Sequence, residues 1–152
     1  KRASKFQDNK QFFGSLFLKH HFYLNSKNVV SLKSQNYYLQ SGDYITNELY
    51  RFGGTNSIRG FTENSLQATF TSSLLTEYCY ILSPSIYAHT IIDYGYFQDK
   101  TTKLNGNVLG LGVGLAMLTK NGLLHIIYAN GSSNQAIKLS NSIVQISLKA
   151  RF

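Results

Sequence analysis

Polar and apolar residues alternate with a period of two in several long stretches of this chain, and that pattern constrains its fold more than any other feature. The pattern is clearest from Ile143 to Phe152. One side of an extended strand there carries only apolar residues, which are Val144, Ile146, Leu148, Ala150 and Phe152. Because successive side chains of a strand point to opposite faces, the stretch is predicted to form a β-strand with one apolar face. A soluble sandwich with that face inward would give the same pattern.

The same alternation, interrupted by turn-rich gaps, predicts seven strands along the chain. Helical periodicity is weak throughout. The predicted strands are Phe12–Leu24, Val29–Leu39, Gln67–Leu82, Ile86–Phe97, Leu109–Leu118, Leu123–Asn130 and Ile143–Phe152. The predicted fold class is therefore all-β, with antiparallel strands.

The gaps between the predicted strands alternate in length, as they do in transmembrane β-barrels with short turns at one end and long loops at the other. The short turns are Asn25–Asn28, Ser83–Ser85 and Thr119–Gly122, and the long gaps are Gln40–Asn64, Gln98–Asn107 and Asn130–Asn141. Bacterial barrels have an even number of strands, and an open sheet edge cannot face lipid. Either the predicted number of strands is one too low, or further strands belong to a longer parent chain. We favour the second explanation and expect an antiparallel transmembrane β-barrel.

Composition argues against other classes of protein. A run of about 20 apolar residues, which a transmembrane helix needs, is absent from the sequence. The 15 Lys and Arg outnumber the 7 Asp and Glu, but they are scattered and accompany no nucleic-acid-binding motif. We therefore expect no nucleic acid partner. Cys79 is the single cysteine of the sequence, so it cannot form an internal disulfide.

Catalytic and metal-binding patterns are not recognisable in the sequence. It contains no G-x-S-x-G nucleophile elbow. His20 and His21 are adjacent and would face opposite sides of a strand, whereas His89 and His125 are expected to be isolated on different strands. We therefore expect no enzyme activity, no cofactor and no metal site.

Glycines dominate one face of the strand predicted at Leu109–Leu118. Gly110, Gly112 and Gly114 share that face, and the opposite face carries leucine, valine and methionine. Glycines normally weaken a strand, so they indicate either a segment packed closely on the sheet or a tight bend in a soluble barrel. This strand alone does not separate the two interpretations.

A set of motifs follows in a fixed order from residue 50 onward. The first motif lies in the longest gap and comprises Gly53, Gly54, Ile58, Arg59, Gly60 and Phe61. Glu77 then lies on one predicted strand, Asp93 and Gly95 lie on the next, and Phe152 is the terminal aromatic residue. In this order the motifs resemble the signature of the BamA/TamA superfamily of outer-membrane β-barrel insertases, also called the bacterial surface antigen type. The resemblance covers Tyr50–Phe152.

The side-chain chemistry of the same residues predicts a specific ion pair. Glu77 and Asp93 are expected on the more polar faces of neighbouring strands, and the fork of an arginine guanidinium matches carboxylates bidentately. We therefore hypothesise that Arg59 holds its loop inside a barrel by pairing with both acids. The alternative is that Arg59 is an ordinary solvated loop residue.

The resemblance implies a fold, a location and an activity. It implies that residues 1–152 form the C-terminal portion of a barrel of 16 strands in the bacterial outer membrane, without its N-terminal strands and periplasmic domains. The motif loop would fold back into the barrel, and the strand bearing Val144, Ile146, Leu148, Ala150 and Phe152 would form one side of a lateral seam. The activity would be assembly and insertion of β-barrel proteins by strand templating.

The implied partners are outer-membrane lipids, unfolded outer-membrane proteins, accessory periplasmic or lipoprotein subunits and the rest of the parent barrel. Three other functions remain open. A two-partner secretion transporter shares the loop and strand motifs but exports one specific protein. A passive porin would explain the strands but not the motifs, and an outer-membrane enzyme would need a nucleophile and base that the sequence does not reveal.

Overall fold

The chain folds into β-strands, as a computed structural model describes for residues 10–134 and 138–150. Nine strands are present in those residues: β1 (Gln11–Tyr23), β2 (Asn28–Ser41), β3 (Tyr50–Phe52), β4 (Leu66–Ala68), β5 (Phe70–Ser83), β6 (Ile86–Asp99), β7 (Leu104–Thr119), β8 (Gly122–Ser133) and β9 (Ser142–Ala150). Two single-turn 3₁₀ segments lie at Thr46–Glu48 and Leu139–Asn141. The prediction of an all-β fold is confirmed.

Seven of the strands form one sheet in the order β1-β2-β5-β6-β7-β8-β9, and every neighbouring pair is antiparallel. The prediction of a seven-stranded antiparallel sheet is thus confirmed. Within the described ranges, β1 and β9 are the two edge strands. The short strands β3 and β4 form a separate hairpin, which the sequence analysis did not predict.

Several predicted boundaries were wrong. The strand expected at Gln67–Leu82 is interrupted at Thr69, where the chain leaves the β3–β4 hairpin and enters β5 of the large sheet. β7 and β8 extend through polar residues expected to lie in long gaps, so only residues 100–103 connect β6 to β7. The expected long gap at Gln98–Asn107 is therefore a short turn, because ladder pairing continues through asparagine and glycine residues that disfavour strands on their own.

The segment between β2 and β5 lies across one side of the large sheet, which we call the inner face. Lys19 of β1 and Lys149 of β9 line the same cavity beside this segment although they come from opposite edge strands. The sheet therefore curves around the segment, which we call the inner loop (residues 42–69).

The other side of the sheet, the outer face, exposes large apolar side chains. One row crosses the sheet through Leu74, Ile92, Val113, Ile126 and Ile146, which are 44–67% exposed. The inner face buries polar side chains instead, including Thr71, Ser73, His89, Asp93 and Gln145. This distribution is the reverse of a soluble sandwich core, in which the apolar faces are buried.

A small apolar core fills the space between the inner loop and the sheet. It consists of Phe52, Ile58, Ala68, Leu75 and Val108, all nearly inaccessible to solvent. The loop contributes three of these five residues, and a second buried cluster of Ile91, Ile127 and Ala129 comes from the sheet alone.

Among the residues that the structure describes, no helix is long and apolar enough to cross a membrane.

Candidate functional site

Arg59 binds Asp93 through both its main chain and its side chain. The Arg59 amide donates to Asp93 Oδ2 at 2.9 Å, Nε donates to the same oxygen at 2.8 Å, and one terminal guanidinium nitrogen donates to Oδ1 at 2.6 Å. Asp93 is fully buried, and the side chain of Arg59 is 7% exposed. The pairing is bidentate, the arrangement in which arginine and a carboxylate bind most strongly.

Glu77 completes the ion-pair network from the neighbouring strand. The second terminal nitrogen of Arg59 donates to Glu77 Oε2 at 2.8 Å, and Glu77 Oε1 lies 2.6 Å from His89 Nδ1. The structure therefore brings together the three residues of the hypothesised pairing, and Arg59 is not a solvated loop residue. Strands β5 and β6 place the two acids because odd-numbered residues of both strands point to the inner face.

The electrostatic environment holds Arg59 in its charged form. Burial by itself would lower the pKa of the Arg59 guanidinium, but hydrogen bonding and charge attraction from Asp93, and then from Glu77, raise that pKa above its ordinary value. A permanently charged group is thus fixed against two acids on the sheet.

Gly53 and Gly54 shape the start of the motif. Both have positive φ, of 97° and 107°, which glycine adopts without strain. The Gly54 amide donates to the carbonyl of Ile58 at 3.0 Å and so closes a tight turn. A Cβ on Gly54 would lie 1.2 Å from a carboxylate oxygen of Glu63, which accepts from the Thr55 amide at 3.0 Å.

Gly60 allows the loop to touch the backbone of β8. Its φ is 90°, and a Cβ there would lie 2.4 Å from the carbonyl carbon of Asn130 and from the Gly131 amide nitrogen. On the sheet side, a Cβ on Gly110 would lie 2.2 Å from the carbonyl oxygen of Arg59. Gly110 therefore accommodates a segment packed closely on the sheet, which is one of the two interpretations that the sequence left open, whereas Gly112 and Gly114 face atoms of the neighbouring strands.

The remaining motif residues on the loop and on β6 pack against each other. Ile58 is fully buried, and a Cβ on Gly95 would lie 3.2 Å from its Cδ1 atom, so Gly95 leaves room for Ile58. Phe61 packs against the same core cluster. Its ring also lies over Gly131, where an added Cβ would come within 2.8 Å of it.

Gln145 of β9 clamps the motif with its side-chain amide. Its Oε1 accepts from the Gly60 amide at 3.3 Å, and its Nε2 donates to the Phe61 carbonyl at 3.0 Å. On β2, next to the opposite edge strand, Lys33 and Gln35 both donate to the Asn56 carbonyl. Sequence reasoning missed all three. Their only sequence signal was a polar side chain on the inner-facing side of an alternating strand.

The expectation that His89 and His125 are isolated was wrong. Their ring centroids are 5.7 Å apart, and Gly114 leaves room for the His89 ring, since a Cβ there would lie 2.1 Å from His89 Nε2. Ligand atoms of Glu77, Cys79 and His89 also lie within 4.8 Å of one another, a grouping that could hold a metal ion. In this structure the Glu77 carboxylate already accepts a hydrogen bond from Arg59 and pairs with His89.

The residues assigned from sequence to a lateral seam lie on β9. Val144, Ile146 and Leu148 are 63%, 67% and 58% exposed on the outer face. Ala150 is the last residue of the strand, and Phe152 lies outside the described residues. In the described part of the chain, β9 pairs with β8 on one side only.

Comparisons with protein-family models and with curated proteins find no match to this chain.

Proposed function

We propose that this chain is part of a transmembrane β-barrel of the BamA/TamA insertase superfamily, which assembles and inserts other β-barrel proteins into the bacterial outer membrane. The observation that carries the proposal is the buried attachment of the Arg59-Gly60-Phe61 segment to Asp93 and Glu77 on the inner face. The motif is recognised in the sequence from the order of its residues alone, and its members are in contact in the fold. A chance likeness in sequence would not require the bidentate pairing of Arg59 with Asp93.

The distribution of side chains supports a location in lipid. The outer face exposes leucine, isoleucine, valine and tyrosine in quantity, while the inner face buries polar and charged groups. A sheet in water would expose its polar face, whereas a transmembrane barrel faces lipid with its apolar side and encloses polar groups. β5 and β6 have 14 residues each, longer than the about 9–11 residues that a tilted strand needs to cross the hydrocarbon.

The unpaired edge of the sheet supports a mechanism of strand templating. The unpaired edge of a strand presents backbone donors and acceptors that can pair with an incoming strand. In the proposed barrel, β9 forms one side of a seam that opens laterally. An incoming strand that pairs with β9 would satisfy its backbone hydrogen bonds as it enters lipid, where an unsatisfied group costs several kcal/mol.

The proposal is tested by quantitative outer-membrane proteomics after depletion of the intact protein that contains this chain. We expect many different barrel proteins to fall in abundance while their precursors accumulate in the periplasm. Depletion of an unrelated passive porin serves as the control and should leave other barrels unchanged.

Loss of a single exported protein, with other barrels unchanged, would contradict the insertase proposal and identify a two-partner secretion transporter. Unchanged levels of every barrel and every exported protein would contradict both functions.

A further inference from the structure

A polar cavity of about 110 Å³ lies between the inner loop and the sheet. It is lined by three lysines from three strands, Lys19 of β1, Lys33 of β2 and Lys149 of β9, together with Arg59, Glu77 and Thr55. A cavity needs about 10–15 Å³ on this measure to hold one water molecule, so there is room for a small polyatomic ligand. We call it the lysine cavity.

The charges around the lysine cavity do not balance. Arg59 is neutralised by Asp93 and Glu77, and Glu77 is also paired with His89. Within residues 10–134 and 138–150, none of the three lysines lies within ion-pair distance of a carboxylate. Lys19 and Lys149 are close enough to Lys33 for their positive charges to repel it. Three ammonium groups thus converge without a counter-ion.

The polar groups around the cavity suit an anion. The half-buried Lys33 donates one hydrogen bond, to the Asn56 carbonyl at 2.6 Å, and an ammonium has three protons to donate. Lysine binds phosphate as a point charge without the directional fork of arginine, so three lysines can surround a tetrahedral oxyanion from different sides. Because the cavity is partly enclosed, salt would weaken such contacts less than it would at an exposed site.

We propose that the lysine cavity binds a phosphate group, supplied as free phosphate or carried on a lipid headgroup. The bound anion would bridge both edge strands of the sheet to the inner loop, because Lys19 and Lys149 come from opposite edges and Lys33 holds the loop through Asn56. This proposal does not depend on the insertase function, since it rests only on the charges and the cavity.

The test uses the intact protein in non-ionic detergent at constant ionic strength set with chloride. Inorganic phosphate is titrated by calorimetry against the wild type and the variants Lys33→Gln and Lys149→Gln. The matched control is Lys120→Gln in the exposed turn between β7 and β8. We expect saturable binding by the wild type and the control, and affinity weaker by about tenfold or more for the two cavity variants.

Thermal unfolding separates a lost ligand from a damaged fold. Without phosphate, Lys149→Gln should melt at or above the wild-type temperature, because removal of one ammonium relieves repulsion. With phosphate, Lys149→Gln should melt at a lower temperature than the wild type. A Lys149→Gln variant that is less stable in both buffers would overturn the proposal, as would an unsaturable phosphate effect that chloride reproduces.

A second titration identifies the source of the phosphate group. Micelles doped with phosphatidylglycerol replace inorganic phosphate, again with the wild type, the cavity variants and the control. Binding of the doped micelles alone, abolished in the cavity variants, would support the lipid headgroup. Binding of inorganic phosphate alone would support the free anion, and failure of both probes to bind would overturn the proposal.

Discussion

Arg59 joins the inner loop to the sheet through four nitrogen atoms, its backbone amide and the three nitrogens of its guanidinium. Taking these charges out of water is costly, and only near-ideal geometry with further hydrogen bonds offsets that cost. Both oxygens of Asp93 are occupied, and so are both oxygens of Glu77. The network therefore fixes the position of the loop, since any shift of Arg59 would leave a buried carboxylate without a partner.

Removal of either member of the central pair should be strongly destabilising. Arg59→Ala leaves Asp93 as an unpaired charge in a fully buried site, a change that costs about 3–5 kcal/mol. Asp93→Asn should also destabilise the protein. The double variant should be less destabilised than the sum of the two, with a coupling of about 0.5–3 kcal/mol. The measurement is urea unfolding of the intact protein in lipid vesicles.

Arg51→Ala provides the control for this double-mutant cycle. Arg51 is exposed on β3 within the same inner loop, so its removal should change stability by about 0.5 kcal/mol or less. Additive effects of Arg59→Ala and Asp93→Asn would contradict the coupling.

At the scale of elements, β7 presents different chemistry on its two faces. Leu115 and Met117 are exposed on the outer face, while Gly106 and Gly110 are buried on the inner face. Gly110 is needed there because the inner loop approaches the strand at backbone distance, and Gly106 leaves room for the side chain of Asn134. The loop, rather than a second sheet, provides the layer against which this sheet packs.

Gly110→Ala should therefore displace the inner loop. The added Cβ would lie 2.2 Å from the carbonyl oxygen of Arg59, and a backbone atom held by buried hydrogen bonds has little freedom to move away. We expect a loss of about 1–3 kcal/mol, as for other overpacked sites, and faster tryptic cleavage at Arg59. Unfolding and limited proteolysis of the folded protein measure the two effects.

Gly14→Ala is the matched control on β1. A Cβ at Gly14 meets nothing within 4 Å, so the variant should be unchanged or stabilised by about 0.5–1 kcal/mol. Equal effects of the two substitutions would contradict a close approach of loop and strand at Gly110.

At the scale of the whole molecule, polar groups are enclosed and apolar groups are exposed. In the proposed barrel the exposed apolar side chains contact acyl chains, and the inner loop fills the interior. A soluble protein with so large an exposed apolar face would instead be prone to association.

The variant Val113→Arg distinguishes an outer face in contact with lipid from an outer face exposed to water. Val113 is 55% exposed on the outer face of a central strand. Near the bilayer midplane an arginine costs about 2–4 kcal/mol, whereas on a water-exposed surface it costs about 0.5 kcal/mol or less. We expect the larger loss in urea unfolding from lipid vesicles, and little change for the control Asn121→Arg in the β7–β8 turn. A negligible effect at both positions would contradict a lipid-facing sheet.

Much of this architecture could be predicted from the sequence, because period-two alternation records which side of each strand faces inward. The alternation placed Glu77 and Asp93 on one face, and the glycine face of β7 indicated a close neighbour. The β3–β4 hairpin was missed because its strands are only three residues long. The clamp by Gln145 was missed because it depends on curvature that brings β9 to the loop, which no local pattern encodes.

The contacts of Gln145 have a consequence for the order of folding. It binds Gly60 and Phe61 across sequence separations of 85 and 84 residues, whereas Arg59 and Asp93 are separated by 34. Contacts distant in sequence form late, because the intervening chain must be ordered first. We therefore expect the loop to dock on β5 and β6 before β9 pairs, so that the contacts of Gln145 form last. Docking of the loop and addition of the last strand would then be two separable steps of folding.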